Sequence, residues 1–70
     1  MIKAWGYLHT NGQIISKRYL GPASDLSIED AKTSPFVVKI SDIAEGDTLD
    51  EAFGKVMADL EIYQEQHDKV

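Results

Sequence analysis

The chain has 70 residues, no cysteine, an apolar fraction of 43% and a formal net charge of −5. This length allows one domain spanning 1–70. The missing cysteines exclude disulfides and thiolate metal sites, the apolar fraction argues against disorder, and the acidic balance argues against nucleic-acid binding, where phosphate neutralisation dominates affinity.

The charge is uneven. Residues 1–20 carry Lys3, Lys17 and Arg18 and no acid, whereas residues 21–70 carry four lysines against twelve acids. A chain this short buries about 60% of its unfolded surface, and its core supplies roughly 3–5 kcal/mol unaided. His9 and His67 lie far apart in sequence and lack a partner set for zinc. Self-association is therefore the expected route to stability, as a homo-oligomer and most simply a two-fold dimer. MIKAWGYLH lacks the apolar run of a signal peptide, and no stretch approaches the ~20 apolar residues of a membrane span. A cytoplasmic location without membrane contact is expected.

In chain order, a strand over Ile2–His9 is followed by Asn11-Gly12, which tolerates the positive φ of a tight hairpin turn. A second strand over Gln13–Leu20 ends at Gly21-Pro22, because proline cannot continue a ladder. In ASDLSIEDAKTSP, Ser24 or Ser27 could cap a short helix. Ser27 with Asp30 has capping-box spacing, which puts one or two turns near 27–33, with Leu26, Ile28 and Ala31 covering a core edge. FVVKISDI, 36–43, reads as a third strand with Phe36, Val38 and Ile40 on one face and Val37, Lys39 and Ser41 on the other. AEGD reads as a loop. Thr48-Leu49-Asp50-Glu51 is a capping box with acids where the helix dipole favours them. Leu49, Ala52, Phe53, Val56, Met57, Leu60 and Tyr63 then form one apolar stripe of a long helix, with Ile62 opposite. His67 is read as a residue of the last turn, favoured there by the dipole.

The order is ββ(α)βα. An α+β fold follows, with a small three-stranded sheet packed on the long C-terminal helix and a short helix in the 21–34 connection. The second sheet face must then meet water, a second protomer, a ligand, or the 21–34 segment itself.

A two-residue turn at Asn11-Gly12 puts Ile2, Ala4, Gly6, Leu8, Ile15, Lys17 and Tyr19 on the core side. Lys3, Trp5, Tyr7, His9, Ile14, Ser16, Arg18 and Leu20 then lie on the other side, with Trp5 opposite Arg18 as a cation–π pair. A three-residue loop with Gly12 as a bulge shifts this by one. Lys17 and Tyr19 then join Trp5, Tyr7 and His9, and Arg18 joins the core side. The Trp5–Tyr7–His9 stripe survives either choice.

Trp5, Tyr7, His9, Lys17 and Arg18 are therefore the candidate ligand-binding residues. Flat rings beside cations suit a nucleotide or another small anionic, ring-bearing ligand, or an acidic protein patch. The bland reading makes the aromatic stripe a second half-core and the two cations a solvated edge that deters aggregation. No recognisable motif sets a nucleophile beside His9, so no catalytic residue is assigned and an enzyme is not expected. Asp42, Glu45, Asp47 and Asp50 miss the EF-hand spacing and read as caps and solvated loop. No phosphate loop or dinucleotide fingerprint occurs, so no cofactor is expected. A second class of function is a protein-interaction module or inhibitor of a host protein, using Asp50, Glu51, Asp59 and Glu61 of the acidic helix face. A third is a structural or assembly piece.

GYLHTNGQIISKRY and EDAKTSPFVVKI, followed by an amphipathic helix, resemble short uncharacterised proteins encoded by phages and prophages. The resemblance covers most of the chain and carries no known functional residue. It implies a host-takeover or anti-defence factor that either sequesters a nucleotide signal between protomers or binds and blocks a host protein.

Overall fold

The structure, a computed structural model, describes residues 1–68, with side chains described to residue 66. The elements run β1 (Ile2–His9), β2 (Ile14–Arg18), α1 (Pro22–Thr33), β3 (Val37–Ile40), β4 (Ala44–Gly46) and α2 (Leu49–Asp68). The expected α+β fold is present, with one strand more than the sequence suggested. β1 is the central strand. β2 pairs along one side of it, and β3 and β4 both pair along the other, all antiparallel.

β4 arises where a loop was expected. β3 pairs Ile40 with Tyr7, and β4 pairs Ala44 with Ala4. Between them Ser41 carries on the ladder: its N–H donates to the Gly6 carbonyl at 2.9 Å, and its Oγ accepts the Gly6 N–H at 3.0 Å. An extra residue then enters at Asp42-Ile43, so 37–46 behaves as one strand broken by a bulge. A second irregularity, where Leu8 pairs with Lys39 and His9 with Val37, breaks the expected alternation. Val37 shares the Trp5 side of the sheet with Ile40 rather than facing away from it.

The hairpin takes the three-residue loop. Gly12 donates to the His9 carbonyl at 2.9 Å and lies at φ +91°, and His9 donates to the Gln13 carbonyl at 2.8 Å. A glycine in this left-handed conformation closes the loop without a Cβ penalty. Trp5 therefore pairs with Lys17, and Arg18 pairs with Ala4. This corrects the two-residue register, and with it the Trp5–Arg18 pair and the placement of Ile15, Lys17 and Tyr19 on the core side.

α2 covers the Ala4–Gly6–Leu8 face. Ala4, Leu8, Ala52, Val56 and Leu60 form the buried cluster, with Ile14, Ala44, Phe53 and Tyr63 packed around it. Most of the expected helix stripe is thus buried or half-buried, but Met57 stands at the rim at 43% exposure. Thr48 caps the helix as read: its Oγ1 accepts the Glu51 N–H at 3.2 Å, and the Glu51 carboxylate accepts the Asp47 N–H at 2.9 Å.

α1 is longer than expected, because Pro22 sits in its first turn, where a missing N–H costs nothing. Ser24 reaches back from that turn, accepting the Leu20 N–H at 2.6 Å. Ser27 does not cap; its hydroxyl donates to the Ala23 carbonyl at 3.3 Å. Ala31 is buried and Ile28 half-buried, but Leu26 points to water at 70% exposure. α1 lies over the sheet face opposite α2, so the sheet is sandwiched between two helices. The segment 21–34 therefore covers this face, which is one of the alternatives the sequence left open.

Candidate binding surface

The five candidate residues separate into three places. Trp5 and Tyr7 follow the pleat of β1 onto the α1 side, their rings 6.0 Å apart and tilted by 34°. Trp5 is 1% exposed. Its ring is packed into the second core under α1, as the bland reading holds, and offers no face for stacking. A shallow cleft of about 270 Å³ remains beside it, lined by Trp5, Tyr7, Lys17, Ser27, Asp30 and Val37 among others. Asp30 in that lining opposes an anion there by like charge.

His9 lies at the hairpin end, in a different cleft of about 330 Å³ with Asn11, Val38, Tyr63 and Gln64. Its ring has local work. Nδ1 accepts the Asn11 N–H at 3.1 Å, and the ring stacks on Phe36 at 6.1 Å with 6° between planes. Arg18 is on the α2 side of the sheet, paired with Ala4. Trp5, Tyr7 and Lys17 are thus brought together, whereas His9 and Arg18 are not part of that group.

Lys17 and Arg18 share a different property. Lys3 pairs with Glu45 at 3.7 Å and Lys32 with Glu29 at 3.2 Å. Lys55 donates to the Glu45 carbonyl at 2.6 Å, and Lys39 lies 5.7 Å from the centre of the Tyr63 ring. Among the described lysines and arginines, only Lys17 and Arg18 lack an acid, carbonyl or ring partner. Both are exposed, one on each face of β2.

β2 is also an open edge. His9 donates to Gln13, and Tyr19 donates to the Lys3 carbonyl at 2.8 Å. These bonds fix the alternation of the antiparallel ladder. Gln13, Ile15, Lys17 and Tyr19 turn their backbone groups towards β1, while Ile14, Ser16 and Arg18 turn theirs outward. No further strand pairs there among the described residues. The bland reading of Lys17 and Arg18 as a solvated strand edge agrees with this position, although edge or centre is a property of strand order.

One feature escaped the sequence reading. Tyr19 Oη donates to Asp25 Oδ1 at 2.7 Å, tying the end of β2 to the first turn of α1. That bond to a carboxylate holds the phenol proton and raises the Tyr19 pKa above its ordinary value, with desolvation and the Asp25 charge adding to it. The acids of the expected interaction face, Asp50, Glu51, Asp59 and Glu61, are all exposed, though Glu51 is engaged in the helix cap. No three of the described His, Asp and Glu side chains come together as a metal site. No described helix is long and apolar enough to cross a membrane. The assignment for His67 concerns a side chain outside the described residues.

No family model, curated protein or solved structure matches the chain.

Proposed function

We propose that this chain is a non-enzymatic binding module for an anionic partner that docks along the outer edge of the hairpin at Lys17 and Arg18. The observation that supports it is the pair of uncompensated cations on an open strand, in a chain of net charge −5. Opposite charges across an interface steer encounter and fix register. On the resemblance of the hairpin and helix to short phage and prophage proteins, the partner is a host component met in the cytoplasm, and the role is host takeover or anti-defence. Sequestration of an anionic, ring-bearing ligand by a homo-oligomer is the small-molecule form of the same reading. It would have to use Tyr7 and Lys17 without the Trp5 ring.

Native mass spectrometry of the gently purified protein tests this, since it reports subunit number and retained partner together. An anionic species retained by the natural chain should be lost from Lys17→Glu and Arg18→Glu variants whose circular dichroism is unchanged. Lys32→Glu, an equal charge change away from the edge, should keep it. Retention unaffected by either edge reversal would overturn the reading.

A further inference from the structure

Taking the anionic-partner reading as its basis, we infer that the partner is an acidic extended peptide that adds to β2 as a fifth, antiparallel strand. An open edge offers outward N–H and C=O groups that a strand can pair with directly. On β2 those groups belong to Ile14 and Ser16, together with the Arg18 N–H; the Arg18 carbonyl already accepts the Ser24 hydroxyl at 3.5 Å. Side chains alternate across the sheet, so Lys17 and Arg18 stand on opposite faces and the partner residues facing them are consecutive.

An antiparallel partner runs from Arg18 towards Ile14. From its N-terminus it meets Arg18, Lys17, Ser16, Ile15 and Ile14 in turn. The matching pattern is two adjacent acids, a small residue, then two apolar residues, because cross-strand pairs of opposite charge and of apolar side chains stabilise a ladder. The half-buried Ile14 and Ile15 give the apolar end of this edge, and the exposed cations the polar end.

A second copy of this chain fits less well. Pairing β2 with itself about Ser16 sets Lys17 diagonal to Lys17 of the other copy and gathers four cations in the joined strands with no acid opposite. Sliding by two residues to bring more of the C-terminal end together sets Lys17 directly opposite itself, which destabilises.

The probe is a blocked peptide whose central residues read Glu-Asp-Thr-Val-Val, added to the ¹⁵N-labelled full chain and followed by amide shifts. The expected result is saturable shifts at Ile14, Ser16 and Arg18. Affinity should fall about fivefold for each of Lys17→Glu and Arg18→Glu, a range set by exposed ion pairs. N-methylation of the peptide threonine removes a bond to the Ser16 carbonyl and should weaken binding about tenfold. N-methylation of the aspartate or of the first valine, whose N–H groups point away from β2, should not.

Ser16→Pro gives a test on the protein side. The Ser16 N–H faces outward, so proline is tolerated in the edge strand but blocks the added one. An unchanged thermal melt with lost peptide binding is expected. Equal binding of a Gln-Asn-Thr-Val-Val peptide, or insensitivity to the threonine methyl group, would overturn the strand-addition inference. So would an absence of shifts at millimolar peptide. If the edge reversals still release the partner in native mass spectrometry, only the peptide mode fails and a different anion occupies the edge. If they release nothing, the anionic-partner reading fails with it. An oligomer that Ser16→Pro converts to a monomer would assign the edge to a second copy of the chain and also overturn the inference.

Discussion

Gly6 of the central strand lies directly against Val56 of α2: a Cβ at position 6 would sit 2.6 Å from Val56 Cγ1 and 2.5 Å from the Ile15 carbonyl oxygen. The first neighbour is a fully buried side chain and the second is backbone. Neither can yield cheaply, so the helix packs this close only because position 6 has no side chain. Gly6→Ala should destabilise the fold by about 1–3 kcal/mol, the usual range for overpacking. Urea unfolding of the purified variant measures it. An unchanged midpoint would mean that α2 does not seat on β1 as described.

Ser41 completes the ladder beside that contact. It is buried, and its Oγ is the acceptor for the Gly6 N–H. Ser41→Ala leaves that amide without a partner, at a cost of about 1–3 kcal/mol. Hydrogen exchange at the Gly6 amide should accelerate selectively. Equal protection in both proteins would show that another group takes the N–H.

Trp5 reports on the second core. At 1% exposure under α1, this single tryptophan should emit at short wavelength and resist quenching by iodide. Trp5→Ala should cost roughly 3–5 kcal/mol. A solvent-like emission maximum in the folded natural chain would mean that α1 does not close over the sheet.

Tyr19 should titrate above an ordinary tyrosine, because its hydroxyl donates to the Asp25 carboxylate and ionisation would place two negative charges together. Its folded pKa is raised, so its contribution to stability is fully present below the unfolded value of about 10 and is lost as pH rises through the folded value. Ultraviolet titration should show a late Tyr19 transition that moves to lower pH in Asp25→Asn. Tyr19→Phe should remove its share of the stability loss at alkaline pH. A Tyr19 titration unchanged by Asp25→Asn would contradict the hydrogen bond.

The amino-acid sequence by itself determined those features whose causes are local. The left-handed glycine at Gly12, the Thr48–Glu51 cap and the 3.6-residue periodicity of α2 placed the hairpin and the long helix, and the α+β class followed from their order. The tertiary structure alone decided features that depend on what lies across from a residue. The hairpin register waited on a one-residue choice in the loop, and that choice moved Arg18 to the α2 side and Lys17 opposite Trp5. β4 was hidden because Glu45 and Gly46 have poor strand propensity. They pair because β1 offers a free edge and because Gly46 lets the first turn of α2 approach, where a Cβ would lie 2.7 Å from the Glu51 Cβ. The burial of Trp5 likewise depended on α1 folding back over the sheet. In that packing the small side chains Ser24 and Ala31 are the buried residues of α1. Local conformational preference is written in neighbouring residues, whereas burial, register and open edges are set by partners distant in the chain.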